Sequence, residues 1–151
     1  MQTTFEINHT SRNTILKIIE SHSLEELNKI PGGFSNNLIW NMGHIVVVQQ
    51  MLVYKLSGLP MMISDEMVDK YKRGTKPEEP VLQAEVDEIK KLLFSTLEQA
   101  KEDFVNAIFE EYMEFTTMTG FTVKNAQSAM EFNNYHEGLH TGIMMQIRKF
   151  L

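Results

Sequence analysis

Apolar residues recur at helical spacing in four segments of the chain, and turn-forming residues separate these segments. The segments span about residues 5–27, 35–57, 83–109 and 125–151. Within the first, Ser23 is followed three residues later by Glu26, which predicts a capping box and therefore a helix that breaks and restarts there. In the third, apolar residues recur at helical spacing and acidic residues fill the positions between them, as expected of an amphipathic helix with one solvated face.

Two stretches between these segments lack the periodicity. Residues 58–80 form a long connection with three prolines, and we expect a solvated crossover there. Residues 110–124 are rich in threonine and aromatic residues, which favours an extended excursion or a short hairpin. Four helices with one long crossover predict an all-α fold, a four-helix bundle with one long crossover connection. A length of 151 residues fits a single domain over residues 1–151.

The second helix is predicted to be apolar on nearly all of its sides. A helix of this kind is buried against more than one neighbour. In a chain this small, the pattern indicates that a second helix layer comes from a partner subunit. We therefore expect a homodimer that buries some of Leu38, Ile45, Val48 and Leu52.

Composition narrows the possible functions. The chain has no cysteine, which excludes disulfides and thiolate metal sites and fits a reducing compartment. Its 14 basic and 20 acidic residues give a net charge of −6 without a basic cluster, which disfavours a nucleic-acid partner. No secretion signal and no long apolar run is apparent, so we expect a cytoplasmic protein that acts on a small molecule rather than at a membrane.

Three histidines are the candidate metal ligands. His136 and His140 are four residues apart on the apolar face of the last helix, where one divalent ion could reach both rings. His44 lies in the middle of the second helix, and helix faces that converge on a bundle core are a known way to build a metal site. A lone core histidine is more often simply hydrogen-bonded, and for His44 that interpretation stays open.

Two other metal sites share part of this pattern. His136, Glu137 and His140 match H-E-x-x-H, the zinc-peptidase motif, but the residues after His140 include no histidine or carboxylate that could be a third ligand. Glu137 with His140 also matches one E-x-x-H of a di-iron bundle, but the corresponding position before His44 is Asn41 rather than glutamate. The sequence therefore favours one metal ion over a peptidase site or a di-iron site.

The histidine motifs resemble those of the DinB superfamily. The matching stretches are NNLIWNMGHI at residues 36–45 and HEGLHTGI at residues 136–143, and a weaker similarity covers the whole chain. The resemblance implies a four-helix bundle, usually a homodimer, with a divalent metal on His44, His136 and His140. It also implies a small-thiol transferase, a thiol-dependent isomerase or a metal-dependent hydrolase, without selecting among them.

The expected chemistry follows from a metal held by three neutral imidazoles. The ion would be zinc, nickel or a similar divalent metal, and it would keep at least one coordination position open. A water or thiol bound at that position would have a lowered pKa. Asn41 and Asn133 are candidate acceptors for the ligands' ring N–H groups, Glu137 is a candidate base, and Trp40 is a candidate pocket wall. We expect a thiol transferase with a low-molecular-weight thiol as co-substrate; a hydrolase and a metal-binding sensor or interaction protein without turnover are the alternatives.

Overall fold

The computed structural model describes all 151 residues, and most of them lie in six α-helices. The helices are α1 (Gln2–Glu20), α2 (Leu24–Asn28), α3 (Leu38–Val53), α4 (Asp65–Tyr71), α5 (Gln83–Val105) and α6 (Ala126–Ile147). Short 3-10 turns follow α3 and α6, at Lys55–Ser57 and Arg148–Phe150. None of the helices has the length and apolar composition that a bilayer crossing requires. The chain is mostly helical, as the predicted all-α fold class requires.

The structure contains the capping box that the sequence predicted and a short hairpin in residues 110–124. The Ser23 side chain accepts a hydrogen bond from the backbone N–H of Glu26, whose carboxylate accepts one from the N–H of Ser23, so the first segment breaks into α1 and α2. Strands β1 (Phe115–Thr116) and β2 (Thr122–Val123) pair antiparallel and form the expected hairpin. The third helix is shorter than predicted, because α5 ends at Val105.

The long connection differs from the expected solvated crossover. It contains α4, whose start is capped by the Ser64 side chain. Val68 and Tyr71 of this helix are buried against α3 and belong to the main apolar core. The crossover prediction was wrong for this part, because the two apolar side chains turn α4 onto α3 instead of leaving it in solvent.

Helix α3 is the centre of the molecule and contacts α1, α4, α5 and α6. Leu38 and Ile45 are fully buried and Leu52 is 6% exposed within the single chain. Val48, the fourth residue of the expected surface, is only partly buried, so the chain's own helices cover most of the surface that we expected a partner subunit to cover. The apolar character of α3 needs no second subunit, and the homodimer stays a prediction without this support.

Candidate metal centre

Helices α3 and α6 bring the three predicted histidines together. One ring nitrogen each of His44, His136 and His140 lies within 4.8 Å of the other two. The ring centroids are 4.5 Å apart for the pair on α6, and His44 lies 5.2 Å from His136 and 4.7 Å from His140. These separations suit three imidazoles that face one ion.

Side-chain caps define where both helices begin. The Asn37 side chain accepts a hydrogen bond of 2.8 Å from the backbone N–H of Trp40 at the start of α3. Asn125 and Ser128 form a reciprocal capping box at the start of α6. The last two histidines follow at a spacing of four residues, which places them one turn apart on the side of α6 that faces α3.

The ring of His44 is held on two sides. Its Nδ1 lies 2.6 Å from the carbonyl oxygen of Tyr71, and because a carbonyl only accepts, Nδ1 carries the proton. The indole of Trp40 stacks on the other side at a centroid distance of 4.6 Å and an angle of 14°. The indole N–H donates to the hydroxyl of Thr75, so the connection after α4 fixes Trp40 as well. These contacts leave Nε2 of His44 as the lone-pair nitrogen.

The approach of Tyr71 depends on a glycine. A Cβ at Gly43 would lie 2.6 Å from the Tyr71 ring, so only glycine lets this ring pack directly on α3. The Tyr71 hydroxyl donates to Glu85 of α5, which anchors the other end of the side chain. Contacts at both ends of the Tyr71 side chain therefore position the residue whose carbonyl accepts the hydrogen bond from Nδ1–H of His44.

Asn41 sets the tautomer of His140. Its side-chain N–H group donates to the carbonyl of Asn37 over 2.7 Å, which turns the amide oxygen toward His140. That oxygen lies 2.8 Å from Nδ1 of His140, so Nδ1 carries the proton and Nε2 keeps its lone pair. Asn41 on α3 thus accepts from the ring N–H of a histidine on α6.

His136 supplies the test of whether these residues fit a metal ion. Its Nδ1 is buried and has no hydrogen-bond partner in the protein. A buried polar atom without a partner is costly, so it indicates a missing ligand at this place. One ring without a hydrogen-bond partner beside two rings whose Nε2 lone pairs are free is a donor set that a divalent ion takes from imidazoles, and the residues fit the ion.

Burial and mutual repulsion favour the neutral rings. Burial, followed by the charges of the other two histidines, lowers the pKa of His136 to about 3. Burial, followed by repulsion from His44, lowers the pKa of His140 to about 4. Burial also lowers the pKa of His44, although the Tyr71 carbonyl opposes this. Neutral imidazoles at ordinary pH are the form that binds metals.

The carboxylate of Glu137 contacts Arg12 and Asn133 instead of lying in the histidine cluster. Its carboxylate is fully buried and lies 2.8 Å from Nη2 of Arg12 on α1. Asn133 donates to the same carboxylate over 2.8 Å instead of accepting from a histidine, and its own Oδ1 has no partner. The expected roles of Glu137 as a base and of Asn133 as a histidine partner gain no support, because both side chains are engaged on the side toward α1.

Sequence reasoning missed Arg12 and Tyr71. Arg12 lies in the buried stripe of α1, with Phe5, Asn8, Ile15 and Ile19. A charged residue in a mostly apolar stripe was the available signal, since a buried charge needs a partner. Tyr71 acts through its backbone carbonyl, for which the side-chain pattern gives no signal.

Comparisons with known proteins agree with this geometry. A family model described as the DinB superfamily matches residues 8–144, which include all three histidines. The chain therefore belongs to the DinB superfamily. In structure it is similar to the conserved protein of a locus from Enterococcus faecalis, with a TM-score of 0.67 and 15% identity over 99% of this chain and 95% of the other. At that identity the likeness shows the fold alone. No curated protein matches the chain significantly.

Proposed function

We propose that this member of the DinB superfamily binds one divalent metal ion on His44, His136 and His140 and transfers a low-molecular-weight thiol to a small electrophilic substrate. The observation that carries the proposal is the convergence of one nitrogen from each ring within 4.8 Å. The proposal takes the chain as a single domain over residues 1–151 whose long helices form a four-helix bundle with one crossover. The homodimer and the cytoplasmic location remain predictions.

The surroundings of the rings support binding of an ion. Two of the three Nδ1 atoms donate to oxygen acceptors, which fixes the tautomers with Nε2 free. Hydrogen-bonded second partners of this kind orient metal-binding histidines and raise their basicity. Imidazole ligands suit zinc and nickel among the divalent ions, and the three rings alone do not select one.

The site offers no fourth histidine, cysteine or carboxylate ligand. The cluster of metal-binding side chains contains only the three histidines, and no carboxylate lies within it. A three-histidine site therefore leaves a position for a substrate atom. A divalent ion bound there supplies positive charge that lowers the pKa of a thiol or a water in this position.

The position of Glu137 favours transfer of a thiol over hydrolysis. A hydrolase of the H-E-x-x-H type uses this glutamate as general base, but here the carboxylate accepts from Arg12 and Asn133. A thiol has an ordinary pKa of about 8.5 and needs less help than water to become a nucleophile. The chain has no cysteine of its own, so the thiol would arrive as a co-substrate.

Cobalt substitution tests the proposal directly. A thiolate bound to cobalt gives an intense charge-transfer band that imidazole and water do not give. We expect this band when the cobalt protein is mixed with one of bacillithiol, mycothiol, glutathione or coenzyme A. The matched control is the His136→Ala variant, which should bind no cobalt and show no band.

Two results would redirect the proposal. If none of the thiols gives the band, while a water ligand of the cobalt protein loses a proton near neutral pH, hydrolysis becomes the better assignment. If neither a thiol nor water changes the cobalt spectrum, the position is closed to exchange. The chain would then be a metal-binding protein without turnover.

A further inference from the structure

We propose that Arg12 is a positioning residue for the proposed metal site: its buried ion pair with Glu137 holds α6 in the orientation at which His136 and His140 face His44. The inference rests on the proposed metal site, and it assigns a function to the only buried ion pair of the molecule. Neither side chain of the pair is exposed to solvent, whereas the other three ion pairs each include at least one exposed partner.

The guanidinium of Arg12 connects three helices. Its Nη2 and Nε lie 2.8 and 3.2 Å from Oε1 of Glu137 on α6. Its Nη1 donates to the hydroxyl of Thr96 over 3.2 Å and to the backbone carbonyl of Leu93, both on α5. Arg12 itself belongs to α1. The planar guanidinium, with donors in fixed directions, therefore sets the relative positions of α1, α5 and α6.

Glu137 is tied from within α6 as well. The side chain of Asn133, one turn earlier, donates to Oε1 of Glu137 over 2.8 Å. The backbone carbonyl of Glu137 accepts a hydrogen bond from the hydroxyl of Thr141. That hydroxyl also lies 3.3 Å from the hydroxyl of Ser11 on α1. A side of α6 next to the one that faces α3 is thus held to α1 through a buried charged contact and a polar one.

The ion pair between Arg12 and Glu137 affects the orientation of the histidine rings because Glu137 lies on the same helix as His136 and His140. Glu137 lies between His136 and His140 in sequence, and successive helical residues differ by about 100° in direction. The two imidazoles face α3, while the carboxylate between them faces α1. Any rotation of α6 that moves the carboxylate away from Arg12 also moves both rings relative to His44.

The tolerance of a metal site makes such a rotation important. With side chains, a helix has a radius of about 5–6 Å, so a rotation of about 20° displaces a ring by about 2 Å. Metal–ligand distances must hold within about 0.2 Å. An apolar contact at the same place would permit small rotations with little change in contact area, whereas an ion pair with two charge-assisted hydrogen bonds would not.

A buried ion pair is also a poor way to gain stability alone. Replacement of such pairs by apolar residues of similar volume is often neutral or stabilising. We therefore expect the Arg12→Met, Glu137→Leu double variant to fold. The double variant keeps apolar volume at both positions and loses the directed contacts of the pair, including those to Leu93, Thr96 and Asn133. A fold that survives this loss separates a positioning role from a merely structural one.

The experiment compares zinc affinity and cobalt spectra of three proteins. Zinc affinity is measured by competition with a chromophoric chelator, and thermal unfolding of the metal-free proteins is measured in parallel. We expect the double variant to unfold near the wild-type temperature but to bind zinc about 10–100-fold more weakly, with a changed cobalt ligand-field spectrum. The matched control is the Lys90→Met, Glu20→Leu variant, which removes the more exposed ion pair between α5 and α1 and should keep wild-type affinity.

The outcomes distinguish this inference from the proposed function. Wild-type zinc affinity and an unchanged cobalt spectrum in the double variant would overturn the positioning role and leave the metal site intact. A wild-type protein that binds neither zinc nor cobalt would overturn both. If the double variant does not fold, Arg12→Lys keeps the charge but loses the fork of donors. Arg12→Lys should then show weakened zinc binding, and wild-type affinity in that variant would refute the inference.

Discussion

Acidification should destabilise the metal-free protein through the buried histidines. The folded state holds the pKa of His136 at about 3 and that of His140 at about 4, whereas both are near 6.5 in the unfolded chain. Between these values the unfolded state binds more protons than the folded state, so the free energy of unfolding falls as the pH falls. Stability from this source is complete above about pH 7 and declines through the range from about 6.5 to 4.

The size of the effect follows from the unfolded pKa. At about pH 5.5 an unfolded histidine is about 90% protonated, which stabilises the unfolded chain by about 1.4 kcal/mol, while the folded rings stay neutral. Two rings therefore cost about 3 kcal/mol on going from about pH 7.5 to 5.5. His44, whose pKa is also lowered by burial, acts in the same direction. A loss of this size is a large fraction of the stability of an ordinary domain.

Urea unfolding of the chelator-treated protein at the two pH values measures this loss. The control is the His136→Gln, His140→Gln double variant, in which other titrating groups are unchanged and most of the pH dependence should disappear. Equal stability of the wild-type protein at both pH values would refute the reasoning. So would an equally steep pH dependence in the control.

Two substitutions probe the contacts that hold the rings. Gly43→Ala should lower the free energy of unfolding by about 1–3 kcal/mol in urea denaturation, because the new Cβ would lie 2.6 Å from the Tyr71 ring. Gly142→Ala is the control: a Cβ at Gly142 would meet no other atom within 4 Å, so this variant should not lower the free energy of unfolding. Asn41→Leu should weaken zinc binding about 10–100-fold in chelator competition, because Nδ1 of His140 loses its hydrogen-bond acceptor. The Asn41→Asp variant keeps an acceptor oxygen at this position and should retain most of the affinity.

The helices and the ligand set could be predicted because local patterns encode them. The capping box at Ser23 and Glu26 depends on residues three apart, and the break between α1 and α2 lies there. The apolar faces predicted the pair on α6 as ligands but left His44 open, and the resemblance to the DinB superfamily added His44, which the structure places beside the pair. Patterns of this kind report which face of a helix is buried, and that is sufficient to bring three rings to one core.

The contacts around the site could not be predicted in the same way. Glu137 lies about 100° from His136 on the helix, and this angle suited either a base beside the metal or a side chain that faces solvent. Its direction was decided by Arg12, more than a hundred residues away in sequence. The buried α4 was missed because only Val68 and Tyr71 anchor a segment that is otherwise rich in charge. Contacts between distant segments depend on tertiary packing, which no local pattern contains.

Metal content and affinity of the purified chain test the central claim most directly. We expect elemental analysis to find about one divalent ion per chain after zinc loading and gel filtration, since three imidazoles form one site. The His136→Ala, His140→Ala double variant should retain none, because His44 alone offers a single nitrogen. The His9→Ala variant, which removes a histidine on the exposed side of α1, should keep full occupancy. Full occupancy in the double variant, or none in the wild-type chain, would contradict the account.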